Sequence, residues 1–151
     1  MSDRIMEPSP TETLEPNHIS EIETVIASML AEGQTVKAGR DPEAGYLWQF
    51  KYGTVEVFVQ LTGLTDDDTL TAWSYVLPLP ARNEAELMRQ LLQSNWLTTF
   101  EAHFAIVDNK VVVVANRTVA ELSPGEIARG ITLVANIADD YDEVLIEQFG
   151  Q

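Results

Sequence analysis

The sequence predicts an α+β domain of two layers, in which three helices segregate from a meandering antiparallel sheet in the order α-β-β-β-α-β-β-α. Three observations carry this. Between Gly45 and Pro80 apolar residues recur with a period of two, the spacing of strands half-buried in a sheet. Three other stretches follow the three-and-four spacing of amphipathic helices, each opened by a Ser or Asn with Glu three residues later. A second alternating block lies between the last two of those helices.

The elements follow in chain order. Residues 1–17 carry Pro8, Pro10 and Pro16 among Ser, Thr and Glu, with little to bury, and read as a mobile Pro-rich leader to a single domain over 18–151. Ser20 with Glu23 forms a capping box, Ile22, Val25, Ile26, Met29 and Leu30 make the buried stripe, and Gly33 supplies the stop. Tyr46, Trp48, Phe50 and Tyr52 alternate along one strand, and Val55, Val57, Val59 and Leu61 along the next, with Gly53 at the turn. GLTDDD turns the chain into a third strand, Leu70 to Leu79, which Pro78 and Pro80 end. Asn83 with Glu86 opens the second helix, through Leu87, Met88, Leu91 and Leu92 to about Asn95. In TTFEAHFAIV, Phe100, Ala102, Phe104 and Ile106 share a face; Asp108-Asn109 is hairpin chemistry, and Val111 to Ala115 closes the pair. Ser123, Pro124 and Glu126 make a complete start for the last helix. Gln49, Lys51, Glu56, Gln60, Glu101 and His103 fall on the polar side of the strands, so one sheet face is expected to be wet.

Composition narrows the function classes. A chain of 151 residues is one ordinary domain and buries roughly 70% of its unfolded surface. Its net charge of −15 repels phosphate backbones and anionic membranes, which argues against nucleic-acid or membrane binding and leaves a basic protein segment or a cation as the compatible partner. The absence of cysteine removes disulfides, thiolate nucleophiles and every Cys-ligated metal site. The opening residues lack the apolar core of a secretory signal, and no apolar run approaches the ~18 residues of a membrane span, so the expectation is a cytoplasmic protein.

Candidate chemistry is sparse. His18 and His103 are the two imidazoles, and each reads as an exposed or rim histidine with no partner fixed by spacing. No G-x-S-x-G, G-x-G-x-x-G or Walker loop occurs. An EF-hand reading of Asp66, Asp67 and Asp68 fails, because Thr71 stands where the loop needs Gly and Leu77 where it needs Glu; the three aspartates read as a solvated hairpin tip. Trp48, Phe50 and Trp73 lack interleaved basic residues and read as sheet core rather than a stacking platform. No catalytic, cofactor-binding or metal-ligating residue emerges, and no cofactor is expected.

The acidic run ANIADDYDEVLIEQFG, at Ala135 to Gly150, resolves on a helical wheel of about 100° per residue. Ile127, Ile131, Ala138, Tyr141 and Leu145 cluster within about 60° of Val134 and form the core stripe. Asp139, Asp140, Glu143 and Glu147 fall on the opposite side, with Asp142 at the border. Asp139/Glu143 and Glu143/Glu147 are like-charge neighbours, placed where the helix dipole disfavours anions. With Ile146 beside them, Asp139, Glu143 and Glu147 make a candidate docking strip for a basic amphipathic segment; a solvated face and divalent-cation binding are the alternatives.

LLQSNW, FEAHFAIVDNKVVVVANRTVAELSPGEI and ANIADDYDEVL together resemble the bacterial YbjN family of sensory transduction regulators, over residues 18–150. That family resembles type III secretion chaperones in fold, with the element order read above. The resemblance implies a non-catalytic, homodimeric, protein-binding domain, chaperone-like or regulatory; it offers no catalytic residue to carry over. A sensor domain responding to a ligand or cation in the cavity between sheet and helices is the alternative from another class.

Overall fold

A computed structural model describes residues 17–97 and 99–151. The expected leader lies outside these residues, except for Asn17. The elements are α1 (His18–Met29), β1 (Lys37–Asp41), β2 (Gly45–Tyr52), β3 (Val55–Leu61), β4 (Thr69–Pro78), α2 (Glu84–Leu97), β5 (His103–Val107), β6 (Lys110–Thr118) and α3 (Pro124–Phe149). All strands join one sheet in the order β1-β2-β3-β4-β6-β5, with every neighbouring pair antiparallel. The expected order of elements holds, with one strand added.

That strand is β1. Its five residues, KAGRD, are exposed on both faces, so it lacks the alternation that marks a half-buried strand. It forms because the next turn delivers it to β2. The Asp41 carboxylate accepts the N–H groups of Ala44 (3.0 Å) and Glu43 (2.7 Å), and those bonds, the Ala44 N–H first, hold its carboxyl below the usual carboxylate range. Gly45 completes the turn at φ 85°, where a Cβ would lie 2.3 Å from the Leu61 carbonyl oxygen.

Helix starts differ from the expected ones in an instructive way. Asn17, not Ser20, caps α1: its side chain accepts the Ser20 N–H at 3.0 Å, so Ser20 becomes the third helical residue. His18 is thereby drawn into the first turn, where it is buried and its Nδ1 meets Glu21 at 3.0 Å; the exposed or rim position expected for it is wrong. The helix ends at Met29, with Leu30 already extended, and Gly33 (φ 84°) serves the following turn instead. Ahead of α2, Asn83 lies at φ 48° and the carboxylate that reaches back is that of Glu84, accepting the Ala81 N–H at 2.9 Å. The start of α3 forms as expected: Ser123 Oγ accepts the Glu126 N–H (3.1 Å) and Glu126 accepts the Ser123 N–H (2.9 Å).

Helix α3 crosses the inner face of the sheet and carries the core. Ile127, Ile131, Val134, Ala138 and Leu145 are buried as the wheel predicts, against Val57, Val59, Ala72, Val111 and Val113. Tyr141 is half-buried, with its ring edge-on to Phe104 at 5.2 Å. α1 packs beside α3 and is tied to the sheet by Trp48 Nε1, which donates to Glu23 at 3.2 Å.

The outer face is less wet than expected. Lys51, Glu56 and His103 are exposed there, whereas Glu101, expected on the same face, lies in the turn before β5 and pairs with Arg129 of α3; Phe58 stacks on Trp73 (5.4 Å, 15°) and meets Tyr75 edge-on, with Lys110 over the Tyr75 ring. Trp48 and Phe50 are core as expected; Trp73 instead belongs to this outer aromatic cluster. The alternation predicted for 98–107 also breaks. Phe100 adopts φ 57° in a turn before β5, so Ala102 and Phe104 point inward while Phe100 and Ile106 are exposed.

Candidate docking surfaces

The acidic strip on α3 divides in two. Asp139 and Asp142 turn toward the β2–β3 hairpin, where Thr54 lies between them. Its N–H donates to Asp139 at 3.0 Å, and its hydroxyl lies 3.1 Å from Asp139 and 2.9 and 3.0 Å from Asp142. The hydroxyl has one hydrogen, so it serves buried Asp142 while the backbone N–H serves Asp139. Gly53 makes this approach possible: it holds φ 57°, and a Cβ there would lie 2.2 Å from the Asp139 carboxylate. Tyr52 adds a second tie, donating to Asn136 at 2.7 Å. Asp139 and Asp142 therefore fasten the hairpin to the last helix.

Glu143, Ile146 and Glu147 are exposed, Ile146 by 52%. Ile146 borders an open groove of about 430 Å³ that runs past Val55, Leu77 and Asp142 to Phe58 and Tyr75. The groove opens because β3 and β4 are in register only from Phe58↔Trp73 to Leu61↔Leu70. Beyond that, the Ser74 hydroxyl donates to the Glu56 carbonyl at 2.6 Å. The dipole problem at this end of α3 is answered from outside the helix. Arg82 donates to the carbonyls of Glu147 (2.9 Å) and Gly150 (2.6 Å), bringing a positive charge to a C-terminus whose own last turn has none.

A second surface did not stand out in the sequence. On α2, Leu87 and Leu91 are buried, and the adjacent row of Leu92 and Trp96 faces away from the core. Trp96 is 87% exposed; Leu97, Phe100, Ile106 and Val107 are also exposed nearby in the chain. Asn95 fixes the helix to β5 at the sheet edge, accepting the Phe104 N–H (2.7 Å) and donating to its carbonyl (3.3 Å). No Asp or Glu occurs from Leu87 to Phe100 or from Ala102 to Val107, in a chain that holds 24 acidic residues. The available sequence signal was the double row itself: Leu87/Leu91 and Leu92/Trp96 are both i,i+4 pairs, more apolar breadth than one face against a sheet requires.

The remaining candidates resolve simply. His103 is exposed on β5. Asp68 is more than a solvated tip: it accepts from the Thr62 and Thr65 hydroxyls and the Thr65 N–H, and these bonds, the Thr65 hydroxyl's first, hold its carboxyl below the usual range. Among the described residues, no group of three or more His, Asp or Glu side chains is arranged to hold a metal ion, and no helix is long and apolar enough to cross a membrane.

Residues 21–147 match the model of the YbjN family, described as "Putative bacterial sensory transduction regulator". No curated protein matches the chain. Among the solved structures that do match is a chain from "Crystal Structure of the ExsC-ExsE Complex", 17% identical, with a TM-score of 0.50 over 83% of this chain and 94% of that one. The likeness shows the fold, and the type III secretion chaperone-like α+β class expected from the sequence holds. The chain belongs to the YbjN family.

Proposed function

We propose that this YbjN-family protein is a cytoplasmic, non-catalytic, protein-binding regulator of chaperone-like action, and that it works as a homodimer joined through the α2–β5 face. The observation that carries the reading is that face: Leu92, Trp96, Leu97, Phe100 and Ile106 are exposed and apolar, and no Asp or Glu occurs from Leu87 to Phe100. Exposed apolar surface in quantity marks an interaction site, and these residues lie on α2 and on the segment that Asn95 ties to it. Two copies of a chain with charge −15 repel each other least where acids are sparse, and Glu101 beside Phe100 is paired with Arg129, so a second copy is the occupant that fits. The partner protein docks elsewhere, on the strip of Glu143, Ile146 and Glu147, through a basic segment with an apolar anchor. Asp139, half-buried on Thr54, adds to the field of that strip without reaching the partner. The structural neighbour was solved as a complex of ExsC with ExsE, which supports a role in binding proteins.

The test is the mass in solution, by sedimentation, of the wild type and of a Leu92→Glu/Trp96→Glu variant. The expected result is a dimeric wild type and a folded monomeric variant. A wild type that stays monomeric at high concentration refutes the dimer. Capture of a basic partner that survives Glu143→Gln/Glu147→Gln undiminished refutes the docking strip.

A further inference from the structure

A cavity of about 270 Å³ lies between the inner face of β4–β6 and the first half of α3. Its walls are Leu70, Ala72, Ala115 and Ile131, with Gly130 on the helix side. The hollow has a sequence cause. Ala72 and Ala115 are register partners on neighbouring strands, so two small side chains stand together where the sheet faces the helix. Gly130 leaves the space above them open, since a Cβ built there meets nothing within 4 Å. The hollow opens to solvent between exposed Glu101, Asn116, Glu126 and Arg129 and reaches down to fully buried Ile131.

The rim is charged yet balanced. Arg129 pairs with Glu101 on one side, with Nη2 donating to Oε1 at 3.0 Å, and Arg117 pairs with Glu126 on the other. Arg117 also donates to the carbonyls of Thr118 (2.8 Å) and Ala120 (2.6 Å), and Glu126 is held by the Ser123 cap. An ionic ligand would have to break one of these pairs, whereas an uncharged one leaves both intact and gains apolar walls. We infer that this cavity is a binding site for a small uncharged apolar molecule, of about the size of one or two aromatic rings. The volume lies just below the range of about 300–1,000 Å³ that holds drug-sized ligands.

The cavity walls are distinct from Leu92, Trp96 and the acidic strip, although Arg129 on the rim lies over the Phe100 ring, so the site is tested on the full-length protein by amide NMR with indole as the probe and indole-3-acetate as its charged counterpart. Indole is expected to give saturable shifts at Ala72, Ala115 and Gly130, with binding at least tenfold weaker for indole-3-acetate. Gly130→Leu fills the hollow from the helix side and is expected to weaken indole at least tenfold. Gly130→Ala, a single added methyl, gives an intermediate loss and serves if the leucine variant does not fold. The Leu92→Glu/Trp96→Glu variant is expected to bind indole as the wild type does. The site is overturned by non-saturable shifts, by shifts centred on Trp96 and Phe100, by indifference to both Gly130 variants, or by tighter binding of indole-3-acetate than of indole.

Discussion

Helix α3 lays Ile127, Ile131, Val134, Ala138 and Leu145 on the sheet and buries all of them, whereas α2 buries Leu87 and Leu91 and leaves Leu92, Trp96 and Leu97 in solvent. The polar sides differ as well. α3 carries acids that its own chain partly absorbs, Asp139 and Asp142 at Thr54, and Arg82 at its C-terminus. From Leu87 to Phe100, the stretch that carries the exposed row of α2, the sequence has no acid. The difference teaches that a charge cluster is the more conspicuous feature in a sequence, but an uncovered apolar row is the less easily explained one in a fold. An acid in water needs no partner; a tryptophan 87% exposed, one helical turn after exposed Leu92 and next to exposed Leu97 in the chain, is more than the scattered surface exposure of a monomer.

Substitutions that separate the two helices should rank accordingly. Ile131→Ala on α3 removes a fully buried side chain and is expected to cost about 2–5 kcal/mol in urea unfolding, while Trp96→Ala on α2 changes the stability of the monomer by less than about 0.5 kcal/mol and acts on association alone. Equal costs at the two sites would mean that α2 packs against its own chain after all. Next comes Thr54→Val, which strips buried Asp142 of its donor and is expected to cost about 1–3 kcal/mol, with the β2–β3 hairpin exchanging amide hydrogens faster. Ser123→Ala, at the α3 cap, is expected to cost about 1 kcal/mol.

The same cap gives a pH dependence. The Glu126 carboxyl is held below its usual range first by the Ser123 N–H, then by the Ser123 hydroxyl and Arg117. A group whose folded pKa is depressed stabilises the fold above its unfolded pKa, about 4, and that contribution is lost as pH falls through the folded value. The Tm difference between wild type and Glu126→Gln is therefore expected to be constant near neutrality and to vanish as pH drops below about 4; a difference that persists there would show that the carboxylate is not the source. The smallest effect belongs to the acidic strip. Glu143→Gln relieves two like-charge neighbours on α3 and is expected to raise stability by a few tenths of a kcal/mol, measurable as a small rise in Tm.

Much of the fold was legible in the sequence, because its signals are local. The alternation in β2 and β3, the Ser123 capping box and the wheel of α3 each report a burial that neighbouring residues determine. What escaped notice was set by distant partners. β1 exists through pairing with β2 and carries no period of its own. Asp139 and Asp142 answer to Thr54, more than eighty residues away, and Arg82 reaches the end of α3 from beyond β4. The docking strip was legible as composition, but the wheel could not show that Asp139 meets a hairpin. The α2 face escaped for a different reason. A periodic pattern shows which residues prefer burial, and Leu92 and Trp96 do, but whether the chain has another layer to cover them depends on the order β4-β6-β5 and on where the sheet ends.

The central claim is that the α2–β5 face is covered by a second copy of the chain while α3 is covered by its own. Hydrogen exchange measured across a range of protein concentration addresses it directly. Protection of α2 and β5 is expected to rise with concentration and to disappear in Leu92→Glu/Trp96→Glu, with α3 protected equally throughout. Protection of α2 and β5 that is independent of concentration and unchanged in the variant would contradict the claim.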